Sequence, residues 1–224
     1  MKIVVSIGGS VLISDSDPDR IKAFASVLRE IATSNHVFVV TGGGETARKY
    51  IKLGRGLGAN EGICDRIGID VTRLNAYILI LALGSFAYPE VITTYRDALV
   101  AGEHGIVVMG GVSPGYTTDA VSAILAEYVG ADLLINATSV DGVYSSDPKI
   151  NPDSKRYEQM SAYELVEVVL STKLHAGSTS VIDPVGAKVI ERSGIRTIVL
   201  NGSDPSNILK AVRGEKIGTE ILSD

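Results

Sequence analysis

The sequence predicts an α/β fold in which a mostly parallel sheet is covered by helices on both faces. Three observations carry that prediction. Short β-branched apolar runs alternate with segments of helical periodicity along the 224 residues. Three of these runs end in a Gly-Gly turn: IVVSIGGS at Ile3–Ser10, VFVVTGGGE at Val37–Glu45 and IVVMGGVSPGYTTD at Ile106–Asp119. Two later segments begin with proline directly after an acid, Asp183-Pro184 and Asp204-Pro205, the order of a helix N-cap followed by the first helical residue.

The elements follow in order. Ile3–Ile7 is apolar but for Ser6, as a strand buried on both faces requires, and a helical pattern over Asp19–Thr33 comes next. Val37–Thr41 repeats the strand pattern before helices over Glu45–Leu57 and Ile63–Leu83. The second of these places Ile63, Ile67, Val71, Leu74, Ile78 and Leu81 at three- and four-residue steps. Strand Ile106–Met109, helix Thr117–Val129 and strand Leu133–Ala137 complete the first part. Asp141–Gln159 is polar, carries Asp147-Pro148 and Asn151-Pro152, and is too long for an ordinary connection, so it reads as a functional loop. Helices over Ala162–Leu170, Pro184–Arg192 and Pro205–Arg213 and a strand over Thr197–Leu200 close the chain. No low-complexity linker interrupts it, so two lobes on one continuous sheet are expected.

Composition narrows the function. The chain is 45% hydrophobic, enough for a full core, and its net charge of -5 comes without any block of Lys or Arg. Nucleic-acid wrapping needs a basic face and is disfavoured, whereas a few local cations suffice for a small anionic ligand. The single cysteine, Cys64, excludes an internal disulfide and a Cys-based zinc cluster, and fits a reducing compartment. Tyr77–Leu83 is the longest dense apolar stretch, and no signal-peptide layout precedes the first strand. A cytoplasmic protein with neither nucleic-acid nor membrane partners is the expectation.

The motifs point to phosphate. Glycine lets bare backbone N–H groups approach an anion, and a following helix adds positive potential at its start. No GxxxxGK[ST] loop, strand-linked GxGxxG or HExxH occurs; Gly54-Arg55-Gly56-Leu57-Gly58 has the wrong spacing, and His36, His104 and His175 are scattered. Gly111-Val112-Ser113-Pro114-Gly115 imitates a hydrolase nucleophile elbow, but the oxyanion donor would be the N–H that Pro114 lacks. The same segment suits a ligand loop: Gly110, Gly111 and Gly115 free the backbone, Ser113, Tyr116, Thr117 and Thr118 offer hydroxyls, and Asp119 enters the first helical turn. Helix capping competes as an explanation, but it needs one such residue rather than three. After Gly42-Gly43-Gly44, Arg48 and Lys49 lie one helical turn in, where a guanidinium can reach back to an anion, although a solvated helix face explains them equally well. Asp65-Arg66 offers an acid for sugar hydroxyls beside a cation.

Together these segments resemble the amino acid kinase family, and within it the uridylate (UMP) kinases of archaeal type. The resemblance runs from IGGSVL at Ile7–Leu12 through VTGGGETARKYI, DRIGIDVTRLNA, GGVSPGYTTDAVSAILAE, TSVDGVYSSDPKINPDSKRY and SVIDPVGAKVIERSGI to GEKIGTEI at Gly214–Ile221. It implies an open, mainly parallel eight-stranded sheet between helix layers, with an acceptor lobe over roughly residues 1–130 and an ATP lobe over 131–224. It also implies phosphoryl transfer from ATP, with Mg2+, to UMP in pyrimidine nucleotide biosynthesis, by a homohexamer built as a trimer of dimers with Ile63–Leu83 as a contact. By the same resemblance Gly9, Ser10, Gly44 and Arg48 lie at the ATP phosphates, and Ser139, Tyr144 and Asp147 lie in the adenine-nucleotide pocket. Gly43, Asp65, Ser113, Pro114, Gly115, Tyr116, Thr117, Thr118 and Asp119 surround UMP; Asp119 and Arg48 carry the chemistry, and no metal site of the chain's own is implied. One position departs from the pattern. Most of the family has Lys two residues before the first Gly pair, and this chain has Ser6. A cation from elsewhere must then meet the phosphoryl charge, with Arg48 first in line, then Lys49 and Lys188. Sequence leaves open an amino acid, carbamate or isoprenoid phosphate acceptor on the same fold, or a non-catalytic nucleotide-binding protein.

Overall fold

The structure, a computed structural model, describes residues 1–13, 17–146, 151, 153–172 and 181–223. Its strands are β1 (Lys2–Ile7), β2 (His36–Thr41), β3 (Val107–Met109), β4 (Leu133–Thr138), β5 (Gln159–Ser161), β6 (Thr197–Asn201) and β7 (Thr219–Leu222). They form one sheet in the order β3-β2-β1-β4-β6-β7-β5, parallel except where β6 meets β7. The resemblance implies eight strands; the described residues form seven. Beyond β3, Ala87 and Ile92 touch Ile106 and Met109 only as isolated parallel bridges. Tyr88 N and Ile92 N donate to Ile106 and Val108 C=O, so the outer segment spends four residues where β3 spends two, and this bulge around Pro89 breaks the ladder.

The helices are α1 (Gly9–Leu12), α2 (Pro18–Ala32), α3 (Gly44–Gly56), α4 (Glu61–Leu83), α5 (Tyr95–Ala101), α6 (Thr118–Val129), α7 (Ala162–Thr172), α8 (Pro184–Ser193) and α9 (Ser206–Val212). Two of them, α1 and α5, have no counterpart in the sequence reading, being four and seven residues long. Asp183 caps α8 as expected, accepting from Val185 and Gly186 N–H; at α9 the cap is Pro205 itself, one residue later than expected, with Asp204 accepting Ser206 N–H; and Asp17 caps α2 ahead of Pro18. Side chains alternate across the strands. Val4, Phe38, Val40 and Leu134 join a cluster with α6, α7 and α8, whereas Ile3, Val5, Val39 and Ile135 join one with α2, α4 and α9. This gives three layers, as predicted.

Glu61–Phe86 is long and apolar enough to cross a membrane by length and composition, with a mean hydropathy of 1.5, which the Tyr77–Leu83 stretch alone understates. In this fold its inner face is core: Ala76, Leu79 and Leu83 are fully buried against the sheet. Polar contacts bind it there. Thr41 Oγ1 donates to Thr72 C=O at 2.9 Å, and Asn75 Nδ2 donates to Gly42 C=O at 2.8 Å.

The first two glycine turns lie backbone against backbone. A Cβ on Gly9 would meet Gly42 C=O at 2.5 Å, and one on Gly42 would meet Gly9 N at 2.6 Å. Gly44 adopts a left-handed φ of 62°, which adds a conformational reason for glycine. We expect Gly9→Ala to lose at least about 2 kcal/mol in urea unfolding, because rigid backbone must shift. Gly56→Ala, with nothing within 4 Å of the new methyl, should stay within about 1 kcal/mol of wild type, on the stabilising side.

Candidate active site

The strand order places a crevice at the carboxyl ends of β1 and β4. From β1 the chain steps outward to β2 and β3 on one side, then returns to lay β4 and β6 on the other. Ligands of open α/β sheets collect at such a reversal. The first glycine turn closes it: Gly8 N donates to Ala137 C=O at 3.0 Å, tying the two strand ends together.

Asp119 sits over this junction. Ser6 and Asn136, direct register partners on β1 and β4, hydrogen-bond its carboxyl. Burial first and the negative charge of Asp183 second push that carboxyl up, the bonds from Ser6 and Asn136 oppose them, and together they leave it at about 7. The sequence reading treats Asp183 only as the cap of α8. It is that cap, with Val185 N at 2.8 Å and Gly186 N at 3.3 Å, and its carboxylate also accepts the Thr117 hydroxyl. Chain separation hid this second role, since the two residues lie 66 positions apart.

The predicted acceptor residues converge on one cleft of about 240 Å³ between α3, α4 and the loop after β3. Gly43, Asp65, Tyr116, Thr117 and Thr118 line it, together with Gly44, Thr72 and Gly111. Ser113, Pro114 and Gly115 form the adjoining turn: Tyr116 N donates to Ser113 C=O at 3.4 Å, and Gly115 takes φ 85°. Pro then Gly at the centre of a four-residue turn is the type II pattern. Asp65 Oδ2 already accepts Gly115 N–H at 2.8 Å, which leaves Oδ1 for a ligand hydroxyl. Capping explains Thr117 after all, since its hydroxyl accepts Ala120 N–H at 3.1 Å, and α6 begins one residue later than predicted.

On the donor side, Gly9 and Ser10 open α1 directly against Gly44. Arg48 is exposed one turn into α3, and no hydrogen bond to it is found among the described residues. The two other candidate cations are engaged: Lys49 pairs with Glu45 at 3.0 Å and Lys188 with Glu191 at 2.7 Å. Ser139 follows β4 as an exposed residue. Tyr144 bridges Arg156 within the long polar loop, which Asn201 at the end of β6 holds by a 2.8 Å bond to Asp141. These positions lie across β1 from the acceptor cleft. Asp147 falls outside the described residues. No group of three or more His, Cys, Asp or Glu able to hold a metal occurs among the described residues.

The amino acid kinase family model matches residues 1–201. The chain belongs to the amino acid kinase family. This amino acid kinase is 55% identical over 224 residues to a uridylate kinase of Methanococcoides burtonii, covering 100% of the chain and 96% of the relative. It is 49% identical to one from Methanothermobacter thermautotrophicus over 100% of both. The crystal structure of uridylate kinase from Archaeoglobus fulgidus superposes with a TM-score of 0.90 at 49% identity, over 99% of this chain and 100% of that one.

The raised carboxyl of Asp119 predicts a pH signature for this amino acid kinase. The folded chain holds a proton there that the unfolded chain, at the ordinary value of 3.8, has already released, so the contribution of Asp119 to stability falls as pH climbs from about 4 to about 7. Asp119→Asn should therefore melt above wild type at pH 8. The gap should narrow as pH falls through that window and close below it, in thermal melts at fixed ionic strength.

Proposed function

We propose that this amino acid kinase transfers the terminal phosphoryl group of MgATP to UMP, giving ADP and UDP for pyrimidine nucleotide synthesis. One observation carries the reading. A chain that aligns end to end with uridylate kinases gathers Gly43, Asp65 and the Tyr116–Thr118 segment into one cleft beside the glycine turns. In this reading residues 1–130 form the acceptor lobe and 131–224 the ATP lobe, and the β1/β4 junction lies between the two phosphates.

The attacking atom is an anionic phosphate oxygen, so no general base is needed. Catalysis consists of holding two phosphates in line and neutralising charge on the group in flight. The turns at Gly9 and Gly44 present backbone N–H groups to the donor, and the glycines allow the approach. Arg48 supplies a planar fork of donors from α3, in place of the lysine that Ser6 replaces. Mg2+ would come as part of the donor substrate, MgATP, and would supply positive charge to its phosphates beside the donors of the glycine turns and Arg48. Asp119, held by Ser6 and Asn136, orients the groups around the phosphoryl; a cation brought alongside favours its ionised form. Asp65 would hold a ribose hydroxyl through its open oxygen.

Assembly belongs to the same reading. Leu74, Tyr77 and Leu81 are 57%, 53% and 75% exposed and form one stripe on the outer face of α4, which we assign to contacts between copies in a hexamer built as a trimer of dimers. Light scattering of Leu81→Glu should then give a smaller species than wild type.

A coupled ADP-release assay over UMP, CMP, acetylglutamate, carbamate and isopentenyl phosphate tests the activity. UMP should be the best acceptor, and turnover confined to another acceptor would replace this reading. Asp119→Asn should reduce kcat by at least about tenfold without lowering the melting temperature. Near-normal turnover would remove Asp119 from the chemistry.

A further inference from the structure

The loop between β3 and α6 meets α4 at two places, and the side chains that make both contacts lie on α4. At its base, Gly111 N donates to Thr72 Oγ1 at 2.6 Å, and Thr72 in turn donates to Ile69 C=O at 2.6 Å. Next to it, Arg73 Nε donates to Gly111 C=O at 3.1 Å and Arg73 Nη2 to Val112 C=O at 3.5 Å. At its tip, Gly115 N donates to Asp65 Oδ2 at 2.8 Å. Asp65 and Thr72 are seven residues apart, about 10 Å along one stripe of the helix. A Cβ on Gly110 would lie 2.8 Å from Arg73 N, so the backbone of the loop base already rests on α4.

Arg73 is the unexpected member. The hydrogen bonds of its guanidinium among the described residues go to carbonyls alone, and a planar fork suits two successive carbonyls better than an ammonium does. Without it, the carbonyls of Gly111 and Val112 lose their charged donors at the point where the chain leaves the sheet for the cleft. The residues beyond that point, Tyr116, Thr117 and Thr118, form the cleft wall.

We propose that Arg73 is a positioning residue for the acceptor: its fork on Gly111 and Val112 sets the course of the 111–118 loop, and through it the geometry of the cleft that receives the nucleoside monophosphate. The proposal rests on the reading of this cleft as the UMP site. It predicts that losing Arg73 harms the acceptor side and spares the donor side, because Gly9, Ser10 and Arg48 belong to other elements.

The test compares Arg73→Gln and Arg73→Lys with wild type by two independent measurements. The first is amide hydrogen exchange over residues 111–117 in the unliganded protein, which needs no assumption about substrate. The second is steady-state kinetics with UMP and ATP varied in turn. Arg73→Gln should exchange about fivefold faster or more across the loop and raise KM for UMP about fivefold or more, with KM for ATP within about twofold and the melting temperature nearly unchanged. Arg73→Lys keeps the charge but loses the fork, and should fall between. Unchanged loop exchange in Arg73→Gln overturns the proposal, as does a rise in both KM values together with a lower melting temperature. Wild-type behaviour of Arg73→Lys in both measurements overturns the role of the fork. Faster loop exchange in a protein whose wild type ignores UMP would uphold the positioning role and overturn only the choice of acceptor.

Discussion

The structure depends on the contact between the first two glycine turns. Gly9, Gly42 and Gly44 bring the ends of β1 and β2 closer than any side chain permits, and the methyl of an alanine would occupy space already filled by backbone. Two consequences follow from one constraint. Strand ends this close place their N–H groups around one point, which is what a phosphate needs. The same closeness leaves no slack, so the two turns move as one body. In the proposed reading the same glycines serve both packing and phosphate binding.

Helix α4 transmits this geometry to the acceptor side. It is apolar enough to resemble a membrane span, yet its few inward polar groups are all spent on the sheet ends and the loop. Asn75 holds Gly42 of the second turn, while Thr72 takes Thr41 through its carbonyl and Gly111 through its hydroxyl. A buried polar group without a partner is costly, so each of these contacts fixes the rotation of α4 about its axis as well as its position. The same placement sets Asp65, on one stripe of the helix with Thr72, where it accepts Gly115 N–H at the tip of the loop.

Much of this was legible in the sequence because it is local. Strands β1, β2, β3, β4 and β6 are predominantly apolar runs, and the longer helices carry their own period and caps. Strands β5 and β7 escaped because QMS and TEIL are short and half polar; Gln159 of β5 pairs with Glu220 of β7, and Ile221 of β7 with Thr197 of β6, contacts distant in the chain that no local pattern records. The site divides in the same way. The glycine turns, Asp65 and the Thr-Thr-Asp segment announce themselves by residue type, whereas Asp183 looks like any helix cap until the fold sets its carboxylate against Thr117 and Asp119. Arg73 was less visible still, because an arginine on an apolar helix reads as solvated unless its carbonyl partners are known.

Ser6 is where the sequence departs most clearly from its family, and the structure gives the departure a physical meaning. The groups that act on Asp119 are the buried surroundings, a second carboxylate, a hydroxyl and an amide; none is a cation. Behind them lies a cavity of about 10 Å³, lined by Ser6, Ser122 and Asn136 with Leu134, Ile182 and Ile190, space for about one water and far too little for a lysine stem turned inward. The interior has closed around a serine, so a lysine at that position would have to point toward the ligand. A carboxyl left in such surroundings retains its proton to near neutrality, and any positive charge that arrives beside it favours proton release. By linkage the effect is reciprocal: whatever ionises Asp119 on binding is itself bound more tightly by the ionised form. A lysine built into β1 would keep the carboxylate ionised in the empty enzyme. With serine there, the proposed reaction would leave ionisation of Asp119 to a cation brought beside it in the substrate complex.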